Sequence, residues 1–121
     1  MVIVTPSFKI STPKVYKLYD QLNNKNSSNF NAVLDNLKNE EKINWNLDYK
    51  NDLKEAAEKI CSEIREVKDI FKNTKAEFTM ISGSGPTVFS LYSSRKQAEK
   101  VAAKWQRKND FVTVVKTIDK Y

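Results

Sequence analysis

Both glycines of the 121-residue chain fall within one short stretch, and this strongly limits how that stretch can fold. Before the glycines, apolar Phe78 and Met80 alternate with polar residues, a period of two that is typical of a β-strand. After them, residues 87–92 are rich in β-branched and aromatic side chains. Gly83 and Gly85 therefore predict a bend between two strands, one that needs positive φ angles or the close approach of another group.

The bend between these strands has two interpretations. In the first, it is the turn of a β-hairpin, the usual role of a short glycine-containing loop between strands. In the second, backbone N–H groups and nearby hydroxyls converge on the oxygens of a phosphate group. The residues of this predicted cradle are Ser82, Gly83, Ser84, Gly85 and Thr87. The segment lacks the lysine of the P-loop pattern, and one loop can satisfy both interpretations.

Length and charge indicate one folded domain with anionic partners. A chain of 121 residues, 40% of them hydrophobic, can bury a single core. Its 21 Lys and Arg against 15 acidic residues give a net charge of +6, which favours nucleotides, phosphorylated metabolites or nucleic acid. The lysines are scattered and not gathered in a stripe with interleaved aromatics, so we expect no nucleic-acid partner.

The sequence argues against a membrane protein, a secreted protein and a zinc enzyme. No apolar run approaches the roughly 20 residues of a membrane span, and the first residues resemble a strand more than a signal peptide. A single cysteine, Cys61, excludes an internal disulfide and suits a reducing cytoplasm. The absence of histidine makes a zinc site or histidine-dependent catalysis unexpected.

The remaining periodicities predict an α+β fold. Strands are predicted at residues 2–11 (interrupted or edged at Pro6), 76–80, 87–92 and 111–118. Helices are predicted from 12 to about 21, over 30–37, over 53–72 and from 95. The segments 23–29 and 39–50 read as loops, with Trp45 as a packing anchor. This order predicts a ferredoxin-like two-layer sandwich, in which helices cover a mostly antiparallel four-stranded sheet.

Polar residues mark where these helices should begin. Thr12 followed by Pro13 is a helix start, with the threonine as N-cap. Asn51 or Asp52 is expected to cap the long helical segment, and a second cap at Ser62 would divide it. Cys61 lies on the apolar stripe of this segment, so it is predicted to be a buried core thiol and not a nucleophile. Ser94 and Gln97 have the spacing of a capping box.

Three stretches together resemble the GHMP family of small-molecule kinases. Residues 81–89, ISGSGPTVF, resemble the third signature motif of that family. Residues 51–53 (NDL) and 7–16 (SFKISTPKVY) are similar to the branch that acts on a cytidyl diphosphate ester of methylerythritol. The glycine motif is common to many members, whereas the Thr-Pro-x-x-Tyr segment is more discriminating. The likeness covers nearly the whole chain, which is therefore predicted to be one C-terminal GHMP kinase domain, residues 1–121.

The resemblance implies a kinase that transfers the γ-phosphate of ATP to the 2-hydroxyl of that ester, in non-mevalonate isoprenoid synthesis. The residues of the glycine motif would face the ATP phosphates and the substrate diphosphate. Thr12, Pro13 and Tyr16 would border the cytidine, with the ring of Tyr16 stacked on the cytosine. From helical spacing alone, Tyr16 is instead interpreted as a core residue.

No stretch of the chain resembles the parts that perform the reaction in this family. Its main phosphate loop, catalytic lysine and catalytic aspartate belong to an N-terminal domain, which would also bind most of the ATP and Mg²⁺. No catalytic residue or metal ligand is therefore predicted here, and Asp52 is interpreted as a helix cap. The chain is expected to need its own N-terminal domain as partner and to be inactive alone.

Three alternatives stay open at this stage. The chain could belong to a GHMP kinase of homoserine, mevalonate or a sugar. It could be a basic nucleic-acid-binding module, although Phe89 and Tyr92 do not reproduce the aromatic pattern of such modules and fall on opposite strand faces. It could also be an interaction domain whose exposed surface promotes self-association, which makes a homodimer possible.

Overall fold

A computed structural model describes residues 1–22, 31, 34–35, 38 and 51–117 of the chain. The elements defined in these ranges are β1 (Val2–Thr5), α1 (Thr12–Gln21), α2 (Lys54–Ile60), α3 (Glu63–Lys72), β2 (Phe78–Ile81), β3 (Val88–Leu91), α4 (Arg95–Ala103) and β4 (Phe111–Val114). Within these ranges, no helix is both long enough and apolar enough to cross a membrane.

The four strands form one sheet in the order β2-β3-β1-β4, and every neighbouring pair is antiparallel. The central strand β1 pairs with two partners at once, so that Val4 lies between Val88 and Val112. Sequential strands β1 and β2 are therefore separated by β3, as in a ferredoxin-like sandwich. The predicted α+β architecture with an antiparallel four-stranded sheet is confirmed.

One face of the sheet and the apolar stripes of the helices form the core. The period of two buries Val2 and Val4 of β1 together with Val88 of β3, while Ile3 and Phe89 point to the opposite face and are half-buried. The helices contribute the fully buried side chains Ala56, Ala57, Ile64, Val67, Phe71 and Ala98, and the connection between α2 and α3 contributes the buried Cys61. Each large apolar side chain buried in this way stabilises the fold by about 1.5–3 kcal/mol.

The first strand and the first helix differ from the prediction at one boundary each. Strand β1 ends at Thr5, before Pro6, because proline has no N–H to donate to the sheet. The predicted interruption at Pro6 is confirmed, whereas the predicted continuation of the strand up to residue 11 was wrong. Helix α1 begins at Thr12 but takes Ser11 as N-cap, so Thr12 is not the cap. The Thr12 hydroxyl instead shares a hydrogen bond with the hydroxyl of Ser84.

The long helical segment is divided, as the position of Ser62 suggested. Helix α2 ends at Ile60 and α3 begins at Glu63, with Cys61 in an extended conformation between them. Leu53, and not Asn51 or Asp52, occupies the N-cap position of α2. Ser62 occupies the N-cap position of α3. Neither of the two N-cap residues makes a side-chain hydrogen bond to its helix, so no serine hydroxyl or carboxylate caps the start of α2 or α3.

The start of α4 matches the capping box in part. The hydroxyl of Ser94 accepts a hydrogen bond from the backbone N–H of Gln97 at 3.2 Å. The side chain of Gln97 does not return to the cap; its Oε1 accepts from the hydroxyl of Ser93 at 2.8 Å. The last strand is shorter than predicted: β4 ends at Val114 and not at residue 118.

The predicted second helix is described only at positions 31, 34, 35 and 38, which are helical. The predicted loops at 23–29 and 39–50, including Trp45, lie outside the described residues.

An ion cluster around Arg107 holds the α4–β4 connection against α3. The Arg107 guanidinium donates to Asp110 at 2.8 Å, to Glu63 at 3.1 Å and also to Glu66. The pKa of Arg107 is raised, mainly by its hydrogen bond to Asp110. The Asp110 side chain is 2% exposed and also accepts from the Trp105 indole N–H at 2.9 Å. Because this carboxylate is buried and fully paired, the cluster fixes the connection in one position.

The Cys61 thiol gives the core a measurable pH dependence. Burial raises the pKa of Cys61 above its usual value of 9.0, so the unfolded chain loses this proton first. The stabilising contribution is therefore complete below the unfolded pKa and is lost as the pH rises through the folded pKa. We expect the difference in unfolding free energy between the wild type and Cys61→Ala to shrink from about pH 8 to about pH 10 in urea titrations. A difference that grows over this range would contradict the assignment.

Candidate functional site

The glycine loop, residues 82–87, joins β2 to β3 as a tight hairpin turn. The Ser82 N–H donates to the Thr87 carbonyl at 2.8 Å, and the Gly85 N–H donates to the Ser82 carbonyl at 3.0 Å. Gly83 and Gly85 both have positive φ, +55° and +82°. Side chains rarely adopt this conformation, so both positions favour glycine. The interpretation of this segment as a hairpin turn is confirmed.

The two glycines face different surroundings. A Cβ atom added at Gly83 would meet no other atom within 4 Å, because this residue is exposed to solvent. A Cβ atom added at Gly85 would lie 2.9 Å from Cδ1 of Ile64, a fully buried side chain of α3. Gly85 therefore lets the turn pack closely onto α3, while Gly83 leaves backbone exposed at its tip.

Two hydroxyl pairs tie the glycine loop to the first part of the chain. The hydroxyls of Thr5 and Thr87 lie 2.9 Å apart and share a hydrogen bond beside the end of β1. The hydroxyls of Thr12 and Ser84 lie 3.0 Å apart and share another, which places the first turn of α1 against the loop. This tertiary contact is where the Thr12 side chain is engaged, in place of capping its own helix.

Asn51 ties the loop to the start of α2. Its Nδ2 donates to the carbonyls of Ile81 at 3.0 Å and Gly83 at 2.9 Å, and its Oδ1 accepts from the Leu53 N–H at 3.0 Å. One amide thus satisfies three backbone groups from two segments 30 residues apart in sequence. The sequence indicated only a helix cap here, since the receiving carbonyls are identified by the tertiary fold alone.

A cleft of about 570 Å³ opens beside these contacts. Its lining residues come from α1, the start of α2, the two hairpin strands and the loop: Tyr16, Tyr19, Asn51, Asp52, Leu53, Met80, Ile81, Ser82, Gly83 and Phe89. The volume lies within the range of small-molecule sites, about 300–1,000 Å³. One wall is aromatic and apolar, and the other is the polar backbone of the loop.

The predicted site residues divide between the cleft and its surroundings. Tyr16, Ser82 and Gly83 line it. The Tyr16 residue is 53% exposed, so it is not the core residue that helical spacing alone suggested. Thr12 and Ser84 are bonded to each other at the base of α1, outside the lining.

Three further predicted residues do not line the cleft. Gly85 faces the buried side chain of Ile64, and the Thr87 hydroxyl is engaged with Thr5. Pro13 is exposed in the first turn of α1. A role in nucleotide or cytidine binding stays a prediction for all the site residues.

The tip of the glycine loop offers two unused backbone donors. The N–H groups of Ser82 and Gly85 are engaged within the hairpin. Those of Gly83 and Ser84 donate to no other residue among the described parts of the chain. Adjacent backbone N–H groups in a turn with positive φ form a concavity suited to anions. Such a pair can hold phosphate oxygens without any charged side chain.

The described residues provide no group of three or more His, Cys, Asp or Glu that could hold a metal ion. Among the described residues that line the cleft, Asp52 is the single charged one. The arrangement can therefore bind anionic and aromatic groups, but it does not assemble a metal centre in this part of the chain.

Comparison with known proteins gives consistent results. The family model described as GHMP kinases C terminal matches residues 28–110. A 4-diphosphocytidyl-2-C-methyl-D-erythritol kinase of Pelotomaculum thermopropionicum is 28% identical over 119 residues, which cover 98% of this chain and 42% of that protein. The kinase of the same name from Thermoanaerobacter sp. strain X514 is 31% identical over 122 residues, covering 99% of this chain and 42% of that one.

A solved structure is similar in fold. The crystal structure of 4-(cytidine 5'-diphospho)-2C-methyl-D-erythritol kinase superposes with a TM-score of 0.65 at 23% sequence identity, covering 92% of this chain and 41% of that one. The chain spans about 42% of the length of the curated relatives named above.

The different surroundings of the two glycines predict different costs of substitution. Gly85→Ala should lower the free energy of unfolding by roughly 2–3 kcal/mol, since positive φ costs about 1–2 kcal/mol and crowding against Ile64 adds about 1. Gly83→Ala is the matched control and should cost only about 1 kcal/mol, for its backbone conformation. Urea unfolding of both variants measures the difference.

The contact between Gly85 and Ile64 can be tested by a double-mutant cycle. Ile64→Val removes the Cδ1 atom, so it should cost less in the Gly85→Ala background than in the wild type. Equal costs of Gly83→Ala and Gly85→Ala, together with an additive cycle, would show that close packing onto α3 is not the role of Gly85.

Asn51 should contribute to stability through its amide donors. Asn51→Asp keeps the oxygen that accepts from Leu53 but sets a carboxylate oxygen against two carbonyls, so the free energy of unfolding should fall by about 1–3 kcal/mol. The same change at Asn73, whose amide makes one 3.3 Å bond to the Asp69 carbonyl at an exposed helix end, is the control. Asn73→Asp should lower the free energy of unfolding by less than about 1 kcal/mol. Equal losses in thermal or urea unfolding would rule out a special role for Asn51.

Proposed function

The chain belongs to the GHMP kinase family, as a C-terminal domain of that family, and on this basis we propose that its cleft forms part of an ATP-dependent small-molecule kinase site. The observation that carries the proposal is the pair of N–H groups at Gly83 and Ser84, which donate to no other described residue and lie beside an aromatic-walled cleft. Kinases of this family use ATP, and their reactants carry several phosphate groups in one site.

The glycine loop would hold phosphate oxygens. Hydrogen bonds from backbone N–H groups to an ionised phosphate are shorter and stronger than bonds between neutral groups. The hydroxyl of Ser82, the residue before Gly83, can add a further donor, whereas the Ser84 hydroxyl is shared with Thr12. The first turn of α1 lies against Ser84, so its helix dipole adds a favourable potential for anions.

The substrate we propose is 4-diphosphocytidyl-2-C-methyl-D-erythritol, on which the relatives are named to act. The half-exposed Tyr16 presents its ring in the same cleft as Ser82 and Gly83. A ring in this position can stack on the cytosine while the diphosphate reaches the loop. The reaction would transfer the γ-phosphate of ATP to the 2-hydroxyl of the substrate and give its 2-phosphate.

We assign the chemical step itself to another domain of the same protein. Phosphoryl transfer needs a residue that orients the hydroxyl, a metal ion and cations that stabilise the transferred group. The lining of the cleft has one charged residue, Asp52, and the described residues hold no metal cluster. Residues 1–121 would therefore act as the C-terminal domain, and an N-terminal domain would supply the catalytic lysine and aspartate, most ATP contacts and Mg²⁺.

Tyr16 provides the sharpest test of the substrate assignment. In the intact kinase with Mg-ATP, Tyr16→Ala should raise KM for the cytidyl substrate by roughly 5- to 150-fold, since stacking contributes about 1–3 kcal/mol. Tyr16→Phe keeps the ring and should leave KM close to that of the wild type. KM for ATP should stay unchanged in both variants.

Two outcomes would contradict this proposal. Unchanged KM in Tyr16→Ala would remove Tyr16 from the cytidine site. Faster turnover of homoserine, mevalonate or a sugar than of the cytidyl substrate, in a panel assayed with the intact protein, would assign the cleft to a different member of the family. The isolated chain should show no turnover, which is measured in the same assay.

A further inference from the structure

A second cavity, of about 480 Å³, lies at the other end of the sheet from the glycine loop. We call it the lysine groove. It lies between the end of α3 and the last turns of α4, and its lining residues are Ile70, Asn73, Thr74, Lys75, Tyr92, Gln97, Lys100, Val101, Lys104 and Trp105. Tyr92 directly follows β3, whereas the glycine loop precedes that strand, so the two cavities share no residue.

The charges along the lysine groove are of one sign. Lys75, Lys100 and Lys104 line it, and none of the described residues in its lining is acidic. None of these three lysines forms an ion pair with any residue of the described ranges, whereas the neighbouring Arg95 and Lys68 are paired with glutamates. The result is a local excess of three positive charges around one cavity, which favours an anionic ligand.

Two of these lysines are placed to act together. Lys100 and Lys104 are four residues apart at the end of α4, so their side chains emerge on the same face of the helix. Like charges at this spacing destabilise a helix. An anion bound between the two ammonium groups would remove this repulsion and gain a bond from each.

The floor of the lysine groove is aromatic and held in place. The Trp105 ring packs on Phe71 at 5.0 Å between centroids, and its indole N–H is bonded to Asp110. The Tyr92 hydroxyl shares a 2.7 Å hydrogen bond with the hydroxyl of Thr74. Both rings are partly buried and fixed before any ligand arrives. A preorganised floor lowers the entropic cost of binding a flat apolar group.

We propose that the lysine groove is a binding site for a small amphiphilic anion, a flat apolar body that carries a phosphate group. The body would lie on Trp105 and Val101, and the phosphate would be bound by Lys100 and Lys104. An apolar floor with a few converging polar groups at its edge is the usual composition of a small-molecule site, and the volume is sufficient. The proposal does not depend on the kinase cleft, because no residue is common to both cavities.

The experiment uses three probes that separate the two halves of the site: 1-naphthyl phosphate, 1-naphthol and inorganic phosphate. The readout is the NMR signal of the Trp105 indole N–H in the 121-residue chain, identified by its loss in Trp105→Phe. We expect 1-naphthyl phosphate to shift this signal in a saturable way and to bind more tightly than either half-probe.

The lysines are tested with a matched pair of double variants. Lys100→Gln/Lys104→Gln should raise Kd for 1-naphthyl phosphate roughly five- to tenfold, as expected from the loss of two partly exposed ion pairs. Lys14→Gln/Lys17→Gln removes the same net charge from exposed positions of α1, outside the lysine groove, and should change Kd less than about twofold.

Three results would overturn the proposal. One is the absence of any saturable shift of the Trp105 signal with 1-naphthyl phosphate. Another is an equal loss of affinity in the two double variants, which would indicate attraction by net charge alone. The third is a Kd for 1-naphthol as low as that for 1-naphthyl phosphate, which would leave an apolar cavity without an anion site.

Discussion

The close packing of one turn onto one helix is the constraint on which the rest of this structure depends. A Cβ atom at Gly85 would lie 2.9 Å from Cδ1 of Ile64 in α3, so a side chain there would make the end of Ile64 shift, and glycine lets the β2–β3 hairpin pack closely onto the helical layer. Once the turn is held there, its tip at Gly83 projects outward, where Asn51 and Thr12 can reach the loop. The inner half of the loop is thus structural, and its outer half is exposed to solvent.

The contacts around the loop also explain how segments far apart in sequence make one cleft. Asn51 satisfies carbonyls of the hairpin and an N–H of its own turn, so the start of α2 cannot shift without breaking several bonds. The buried stripe of α3 supports the loop from below, and the Arg107 cluster fixes α3 to the α4–β4 connection. These contacts hold the walls of the cleft, which come from four elements, in fixed positions without any catalytic side chain. Fixed walls are what the positioning of a substrate requires.

Much of the fold could be predicted from periodicity and turn residues. Alternation of apolar residues indicated the strand before the glycines, and richness in β-branched and aromatic residues indicated the strand after them; Ser62 marked the division of the long helical segment. Boundaries were less accurate: Pro6 ended β1 early, and Ser11 displaced Thr12 as N-cap. Such local ends depend on which hydrogen-bond partner a side chain finds, and for Thr12 that partner is 72 residues away in sequence.

The sequence by itself determined that a glycine-containing turn would join two strands in a small α+β domain, since only glycine adopts positive φ at low cost and the flanking pattern has a period of two. It also indicated the resemblance to the GHMP kinases, which the comparisons support. Only the tertiary structure decided that Gly85 faces the core while Gly83 faces solvent. It also decided that the Asn51 side chain is bonded to the loop, and that Tyr16 lines the same cleft as Gly83. These facts depend on distances between segments that are remote in the chain, and packing of the whole core sets those distances.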